Sequence, residues 1–459
     1  MIGGGIRDAA KIPELRKRIG FTILVLIIYR LGVFVPTPGI DGARLSRILT
    51  ETSTSLFGML NMFSGGALEN FSIFTLGITP YISVSIIIQL LSSTVKSLAE
   101  LKEQGEQGRR VITRYTRIGT IALAFVQGYM ISLGLESKGV VHDPGLLFRI
   151  ITPITLTAGT AFLMWIGEQI NERGIGNGIS VLIMAGIVAR MPTTLVETLN
   201  MMSTGELAKG AMLIILFFAF ATVAFIVFVE RCQRRVPVQY PRRVVGRRMT
   251  QAQTQHLPFR VNSAGVIPPI FASALLVFPV TLAQFVSKDF TIGNVSIGDI
   301  VSKISLYLTP PSISYYLVFA TLIIFFCFFW IASMPDFNPS KIAERLKSNG
   351  GFVPGIRPGK DTADYLNGVL TRLTLWGSIY ICLVCIIPSV VYMELGAQAF
   401  TYFFGGTAVL IVVGVTVDTA SQIESFIVAR NYEGFMSKSP GKVRGGSRGS
   451  SVQGRLIQR

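Results

Sequence analysis

Few residues in this 459-residue sequence have the types and spacing that a reactive site needs. Cys382 and Cys385 form a CxxC pair, but they lie in the apolar run ICLVCIIP, which favours packing over a redox role. The 2 histidines are too few for a His-rich metal site. The glycine-rich NERGIGNGIS at 171–180 resembles a phosphate loop, but no strand precedes it and an apolar run follows, so we interpret it as a tight turn. We therefore predict no catalytic residue, no metal and no cofactor, and we do not expect an enzyme.

The composition indicates a membrane protein instead. Half of the residues are hydrophobic, and the mean hydropathy is +0.55. Apolar runs of spanning length predict an all-α polytopic membrane protein with ten transmembrane helices. Basic residues fill the N-terminal arm, the tail and alternate loops, which predicts that both termini are cytoplasmic. The predicted spans are 20–36, 77–95, 115–135, 149–168, 178–196, 210–230, 264–286, 313–334, 370–392 and 403–424.

Three ionisable side chains fall within or at the end of these spans, namely Arg30, Glu168 and Asp418. Ionisable groups at membrane depth often mark ion or proton routes. These three do not form a chain of paired carboxylates, so we predict structural pairing or capping for each. This pattern weighs against a proton- or ion-coupled pump.

The sequence contains an internal repeat. The second span begins GITPYISVSI (77–86) and the seventh begins GVIPPIFASA (265–274). The fifth and tenth spans match as GISVLIMAGI (178–187) and GTAVLIVVGV (406–415). Five spans per half is an odd number, which predicts two inverted, pseudo-symmetric halves around a central pore. We assign 1–196 to the N-terminal half, 197–436 to the C-terminal half with cytoplasmic loops 231–262 and 336–369, and 437–459 to a basic disordered tail.

The candidate lining of this pathway is apolar. Ile82 and Ile86 share one helix face, as do Ile183 and Ile187, because residues four apart lie one above the other. Isoleucines also occupy the repeat-related positions. Isoleucines in spans commonly face lipid, but the repeat favours a collar that closes a pore by excluding water. The predicted collar is Ile82, Ile86, Ile183, Ile187, Ile270 and Ile411.

The stretch before the second span, residues 61–74, is apolar but broken by Gly65 and Gly66 and too short to span. Non-helical backbone at membrane depth is tolerated only where protein buries it or where it lines a cavity. We therefore predict a half-length element buried inside the bundle.

Two cytoplasmic loops are long and basic. Residues 231–260 contain eight arginines and alternating valines, which suit a hairpin. Residues 336–369 contain a tip shaped by glycine and proline around Arg357. The positive-inside bias explains part of this charge, but not the length of the loops. Such protrusions suit docking on an acidic partner or on RNA phosphate.

Long motifs between Pro13 and Gln422 resemble the SecY/Sec61-alpha family of protein-conducting channel subunits. They include PTPGID (36–41), NMFSGGAL (61–68) and IIIQLL (86–91). Further motifs are GEQGRR, MWIGEQINERGIGNGIS, HLPFRVNSAGVIP, FFCFFW, FVPGIRPG, TRLTL and FGGTAVLIVV.

The resemblance implies a channel that moves unfolded secretory polypeptides across the bacterial inner membrane and releases transmembrane segments sideways into lipid. Residues 61–74 would form a plug beneath the collar, and the second and seventh spans would form a lateral gate. Implied plug residues are Asn61, Met62, Phe63, Ser64, Gly65, Gly66, Ala67, Leu68, Phe71 and Phe74. Implied gate residues are Ser85, Gln89, Asn262 and Ser273, with Gln89 and Asn262 as candidates for its polar contacts. Implied docking residues are Arg242, Arg243, Arg247, Arg248 and Arg357.

The resemblance also implies partners. These are SecE-like and SecG-like small membrane subunits, the SecA motor ATPase, the ribosome with its rRNA phosphate, signal sequences and nascent polypeptides, and the phospholipid bilayer.

Two other classes remain as alternatives. A secondary transporter of a small solute also uses inverted repeats and broken helices, but it needs polar ligands at the midplane, where this sequence has isoleucines. An intramembrane enzyme needs a nucleophile–base pair or metal ligands within the spans, and the sequence offers neither.

Overall fold

The structure is a computed structural model that describes residues 12–40, 42, 64–137, 139–205, 209–241, 244–245, 248–249, 253–285, 291–292, 295–296, 307, 312–334, 337–395 and 405–437. Most of the described chain is helical. The helices are α1 (Pro13–Gly32), α2 (Thr79–Thr94), α3 (Lys96–Glu103), α4 (Glu106–Ser137), α5 (Leu146–Arg173), α6 (Gly178–Ser203), α7 (Lys209–Arg231), α8 (Ile267–Phe285), α9 (Ile313–Ser333), α10 (Pro339–Ser348), α11 (Lys360–Glu394) and α12 (Gly406–Ser437).

The short strands form three antiparallel pairs among the described residues. The strands are β1 (Gln233–Tyr240), β2 (Val244–Val245), β3 (Arg248–Met249), β4 (Gln253–Arg260), β5 (Thr291–Ile292) and β6 (Val295–Ser296). The longest pair joins β1 to β4, with Gln233 opposite Arg260 and Tyr240 opposite Gln253.

Each predicted span coincides with one of these helices, which confirms the helical membrane fold. Seven described helices are long and apolar enough to cross a membrane by themselves, and an eighth is added if α2 and α3, bent by 101°, count as one. Helix α1 carries Arg16, Lys17, Arg18 and Arg30, so its charge content exceeds that of a purely apolar span. Several helices run past the predicted bounds, as α4 and α11 do at their starts, because hydropathy marks only the portion inside the membrane.

The two halves share one packing pattern. In the first half, α2 packs on α4, α4 on α5, and α5 and α6 on each other and on α1. In the second half, α8 packs on α9, α9 on α11, and α11 and α12 on each other and on α7. The order of spans in these contacts is the same in both halves, as the repeat predicts. Helix α6 continues to Ser203, so the predicted domain boundary at 196 falls inside a helix, and the change of half lies between α6 and α7.

The halves meet along two seams. Helix α8 contacts α2 and α4 on one side, and α12 contacts α6 on the other. The largest buried apolar cluster of the described residues contains side chains from both halves and from both seams. The hydrophobic core of the protein therefore lies between the halves.

Candidate functional site

The six predicted collar isoleucines all belong to that central cluster. Each is at most 6% exposed, and Ile187 and Ile411 are fully buried. Because they come from α2, α6, α8 and α12, the collar joins the helices of both seams. No lipid-facing role fits such burial. The six isoleucines therefore form a buried apolar contact between the halves.

A cavity of about 560 Å³, half of whose lining residues are polar, lies directly above the collar, on the side of the basic loops. Three of the helices that line the cavity also carry collar residues. Ser180 lines the cavity three residues before Ile183, Ile267 three residues before Ile270, and Val415 four residues after Ile411. Helix α6 thus runs from the cavity to the collar and α12 from the collar to the cavity, which is the inverted orientation expected of repeat-related helices.

The described part of the predicted plug, residues 64–74, is a chain of turns that is largely buried, with Glu69 and Asn70 exposed. Ala67, Phe71 and Phe74 are at most 3% exposed. The Phe74 ring stacks on Tyr29, 6.0 Å between centroids, and an added Cβ at Gly32 would lie 2.1 Å from that ring. Protein therefore buries this non-helical backbone, as predicted. Asn61, Met62 and Phe63 lie outside the described residues.

Helix α6 provides the seat of the plug. An added Cβ at Gly65 would lie 2.8 Å from the Cα of Gly186, so only glycine allows this close approach. Gly65 and Gly66 also have positive φ values of 65° and 89°, which favour glycine. Ile183, Gly186, Ile187 and Arg190 share one helix face, since their spacing follows the helical repeat. The collar and the plug therefore share this face of α6, one turn beyond the cavity residue Ser180.

Two arginines bind described residues of the predicted plug. Arg30 Nη1 donates to the Gly65 carbonyl at 2.9 Å. Arg190 Nη2 donates to Glu69 Oε1 at 2.6 Å. Glu69 and Arg190 were not predicted as site residues, because the two are 121 positions apart and only the fold brings them together.

The three ionisable groups singled out in the spans are all paired. Besides Arg30, Glu168 accepts two hydrogen bonds from Arg117 at 2.8 and 2.7 Å, and Asp418 accepts one from Arg260 at 2.8 Å. The prediction of structural pairing is therefore confirmed for these residues. The tight turn predicted within 171–180 is also confirmed. It joins α5 to α6, and the backbone N–H of Gly178 donates to Asn171 Oδ1 at 2.8 Å.

The predicted gate helices, α2 and α8, pack against each other. Asn262 was predicted to make a polar contact across the gate, but its hydrogen bonds stay within the C-terminal half. Its Nδ2 donates to buried Glu230 at 2.7 Å, and its Oδ1 accepts from the Gly265 N–H at 3.0 Å. Among the described residues, no side-chain hydrogen bond joins it to Gln89. Ser85 is half-buried, and buried Ser273 donates to the Ile270 carbonyl at 2.9 Å. Asn262 therefore anchors the start of α8 to α7, within the C-terminal half.

Besides the packing of α2 on α8, a hydrogen bond also crosses this seam between the halves. Helix α3, which follows α2 after the bend at Val95, carries Lys102, whose Nζ donates to the Ser333 carbonyl at 2.6 Å. Burial lowers the pKa of the Lys102 ammonium from its ordinary value. Because Ser333 ends α9, which packs on α8, this bond ties the first half to the second beside the predicted gate.

The two basic loops form one unit, which we call the basic-loop module and define as β1, β4, segment 351–357, α10 and the first turns of α11. Gln239 and Phe352 exchange backbone hydrogen bonds of 2.8 and 3.0 Å. Val236, Phe259, Val353, Leu366 and Leu370 form its buried core. Val236 and Val238 point inward between exposed neighbours, which confirms the alternating hairpin.

Arg357 is exposed at the tip of the basic-loop module, and its carbonyl accepts a hydrogen bond from Thr362 Oγ1 at 2.8 Å. Arg242, Arg243 and Arg247 lie outside the described residues. Arg248 lies in β3, and the structure describes only its backbone. Of the predicted docking residues, Arg357 alone is therefore placed with its side chain in the described part of the chain.

These features define the class of protein. A multi-pass membrane protein with two inverted halves, a cavity, an apolar collar and a buried plug is a membrane channel in a closed state. The solute-transporter alternative gains no support, because the collar provides no polar ligand.

The comparisons with known proteins agree with this class. The family profile described as SecY matches residues 72–420. The chain is 47% identical to the protein translocase subunit SecY of Escherichia coli K12 over 93% of this chain and 95% of the relative. It is 42% identical to the SecY subunit of Thermus thermophilus over 96% of this chain and 99% of that relative. This chain belongs to the SecY family.

Solved structures share the fold. One is described as "The structure of a protein conducting channel", with a TM-score of 0.64 and 17% identity over 93% of this chain and 95% of that one. Another is "Sec61 in the Canine ribosome-channel complex from the endoplasmic reticulum", with a TM-score of 0.60 and 17% identity over the same shares.

Proposed function

We propose that this chain is the pore subunit of a protein translocase in the bacterial inner membrane, with no enzymatic activity of its own. It moves unfolded secretory polypeptides across the membrane and releases transmembrane segments sideways into lipid. The observation that carries this proposal is that neighbouring turns of α6 contact the cavity at Ser180, the collar at Ile183 and Ile187, and the plug at Gly186.

An apolar collar suits a polypeptide of any sequence. Its side chains offer no hydrogen-bond partner that would hold a particular substrate, and they exclude water when they meet. Fully burying one isoleucine side chain stabilises the closed state by about 1.5–3 kcal/mol. The plug adds a second barrier on the far side. A signal sequence opens the channel only by binding the open state more tightly than the closed one.

The seam between α2 and α8 is the proposed lateral gate. It joins the halves through side-chain packing and the Lys102 contact, whereas each half is held together by extensive helix packing. Separation of α2 from α8 would expose the collar region to lipid. A division into two halves that meet between Ser203 and Lys209, and not at residue 196, fits this motion.

The basic-loop module is the proposed docking surface for a translating ribosome, through rRNA phosphate, or for a SecA-type motor ATPase. The exposed guanidinium of Arg357 suits phosphate or carboxylate. Strand β4 leads into the gate helix α8 after six residues, so that a docked partner can act on the gate. Partner subunits similar to SecE and SecG would pack on the apolar outer surface. The positive charge of the basic loops favours a cytoplasmic location of both termini.

The test is transport by the purified chain, reconstituted with the small subunits of its own translocase. Proteoliposomes are given the motor ATPase, ATP and a secretory precursor, and protease protection measures the precursor that enters the lumen. Protection that depends on the signal sequence supports the proposal. Solute uptake without any precursor protection would contradict it and favour the transporter.

A further inference from the structure

The plug is fastened to the collar helix by a charged contact. The Arg190 guanidinium binds the Glu69 carboxylate, with its Nη2 2.6 Å from Oε1. Arg190 lies one helical turn beyond Gly186 and two turns beyond Ile183, about 10 Å from Ile183 along the axis of α6. The contact therefore joins the plug directly to the helix that carries the collar.

Arg190 also covers the backbone of the plug. An added Cβ at Gly66 would lie 2.7 Å from Arg190 Nη1 and 3.1 Å from its Cδ, so the arginine stem packs against this glycine. The neighbouring residue, Gly65, accepts the hydrogen bond from Arg30. The start of the plug is thus held between an arginine of α1 and an arginine of α6.

The two partners differ in exposure. The Arg190 side chain is 15% exposed and that of Glu69 is 49% exposed. A fully exposed ion pair contributes little because water screens both charges. Here the cation is largely desolvated, and movement of the plug would take the Glu69 carboxylate away from it. The ion pair therefore favours the closed position more than a surface pair would.

We propose that Glu69 and Arg190 form an ionic latch that sets how strictly this channel requires a signal sequence. The proposal rests on the proposed transport function. A precursor that cannot bind the open state well must overcome the latch, whereas a good signal sequence supplies enough binding energy to release it. Glu69 and Arg190 are thus residues that determine substrate selection, although neither need contact the moving polypeptide.

The experiment measures protease-protected transport of one precursor with its signal sequence intact and with that sequence deleted, in the reconstituted full-length translocase. The variants are Glu69→Gln, Arg190→Gln and the charge exchange Glu69→Arg with Arg190→Glu. The matched control is Glu136→Gln, because it removes an arginine–glutamate pair of 2.6 Å that joins α4 to α5 and not the plug to α6.

Glu69→Gln should raise transport of the signal-deleted precursor about tenfold, the factor that corresponds to about 1.4 kcal/mol removed from the closed state. The charge exchange should restore the strict requirement, and the control should keep it. If Glu69→Gln transports the intact precursor normally but still excludes the signal-deleted one, the latch is overturned while the transport function stands. If the unaltered protein transports neither precursor, the transport function itself fails.

Discussion

Gly65 of the plug and Gly186 of α6 pack backbone against backbone. An added Cβ at Gly186 would lie 3.1 Å from the Gly65 Cα and 3.1 Å from the Tyr29 hydroxyl. This contact places the plug against the same helix turn that carries Ile183 and Ile187. A side chain at either glycine would push the plug away from the collar.

The first prediction concerns this seat. Gly186→Val should displace the plug and relax the signal requirement, because overpacking at a tight contact costs about 1–3 kcal/mol. The measurement is transport of a precursor with a defective signal sequence. Gly20→Val is the control, since an added Cβ at Gly20 meets nothing within 4 Å. If transport depends equally on the signal sequence in the two variants, the contact at Gly186 does not hold the plug.

The second prediction concerns the collar. Ile411→Asn and Ile86→Asn should let small ions leak through the resting channel, because an amide in a dry contact attracts water. They should also accept weaker signal sequences. Ile411→Leu keeps the apolar volume and should stay sealed. Conductance of the resting channel in planar bilayers measures the effect, and a stricter signal requirement in the asparagine variants would contradict this account.

The third prediction concerns the anchor of the gate helix. Asn262→Ala leaves buried Glu230 without its side-chain donor and should lower the free energy of unfolding by about 1–3 kcal/mol. Glu230→Gln keeps an acceptor for Asn262 Nδ2 and should be milder. Thermal unfolding of the purified translocase gives the comparison. If Glu230→Gln destabilises more than Asn262→Ala, the hydrogen bond is not the anchor.

The fourth prediction concerns docking. Arg357→Glu should abolish transport driven by a motor ATPase or a ribosome, while the unfolding temperature stays unchanged because the side chain is exposed. Lys347→Glu, an exposed cation on α10 of the same module, is the control for net charge. Normal motor-driven transport by Arg357→Glu would refute the docking role.

Sequence patterns predicted which isoleucines would come together, because helical spacing indicated Ile82, Ile86, Ile183 and Ile187 and the repeat added Ile270 and Ile411. All six lie in one buried cluster. Sequence patterns also predicted that 61–74 would be buried, since a broken apolar stretch has no other stable place at membrane depth. Both predictions rest on local patterns that hydropathy and helix geometry determine.

Other contacts depend on tertiary structure and left no local signal. Glu69 and Arg190 come from a turn and a distant helix, and their pairing follows only from the way α6 packs beside the plug. Asn262 was expected to contact the gate, but Glu230 at the end of α7 takes its amide instead. A polar residue at a helix start has several acceptors within reach, and the packing of neighbouring helices decides among them.

The most direct test of the central claim is site-specific photocrosslinking of an arrested secretory precursor. One probe replaces Ile411 in the collar, and the control probe replaces Leu317 on α9, which is 65% exposed on the outer surface. Crosslinks at position 411 and none at 317 are the predicted result, because the polypeptide passes through the collar. If no crosslink forms at position 411 while the precursor is demonstrably engaged, the result contradicts a pore at the collar. The isoleucines would then be ordinary packing residues.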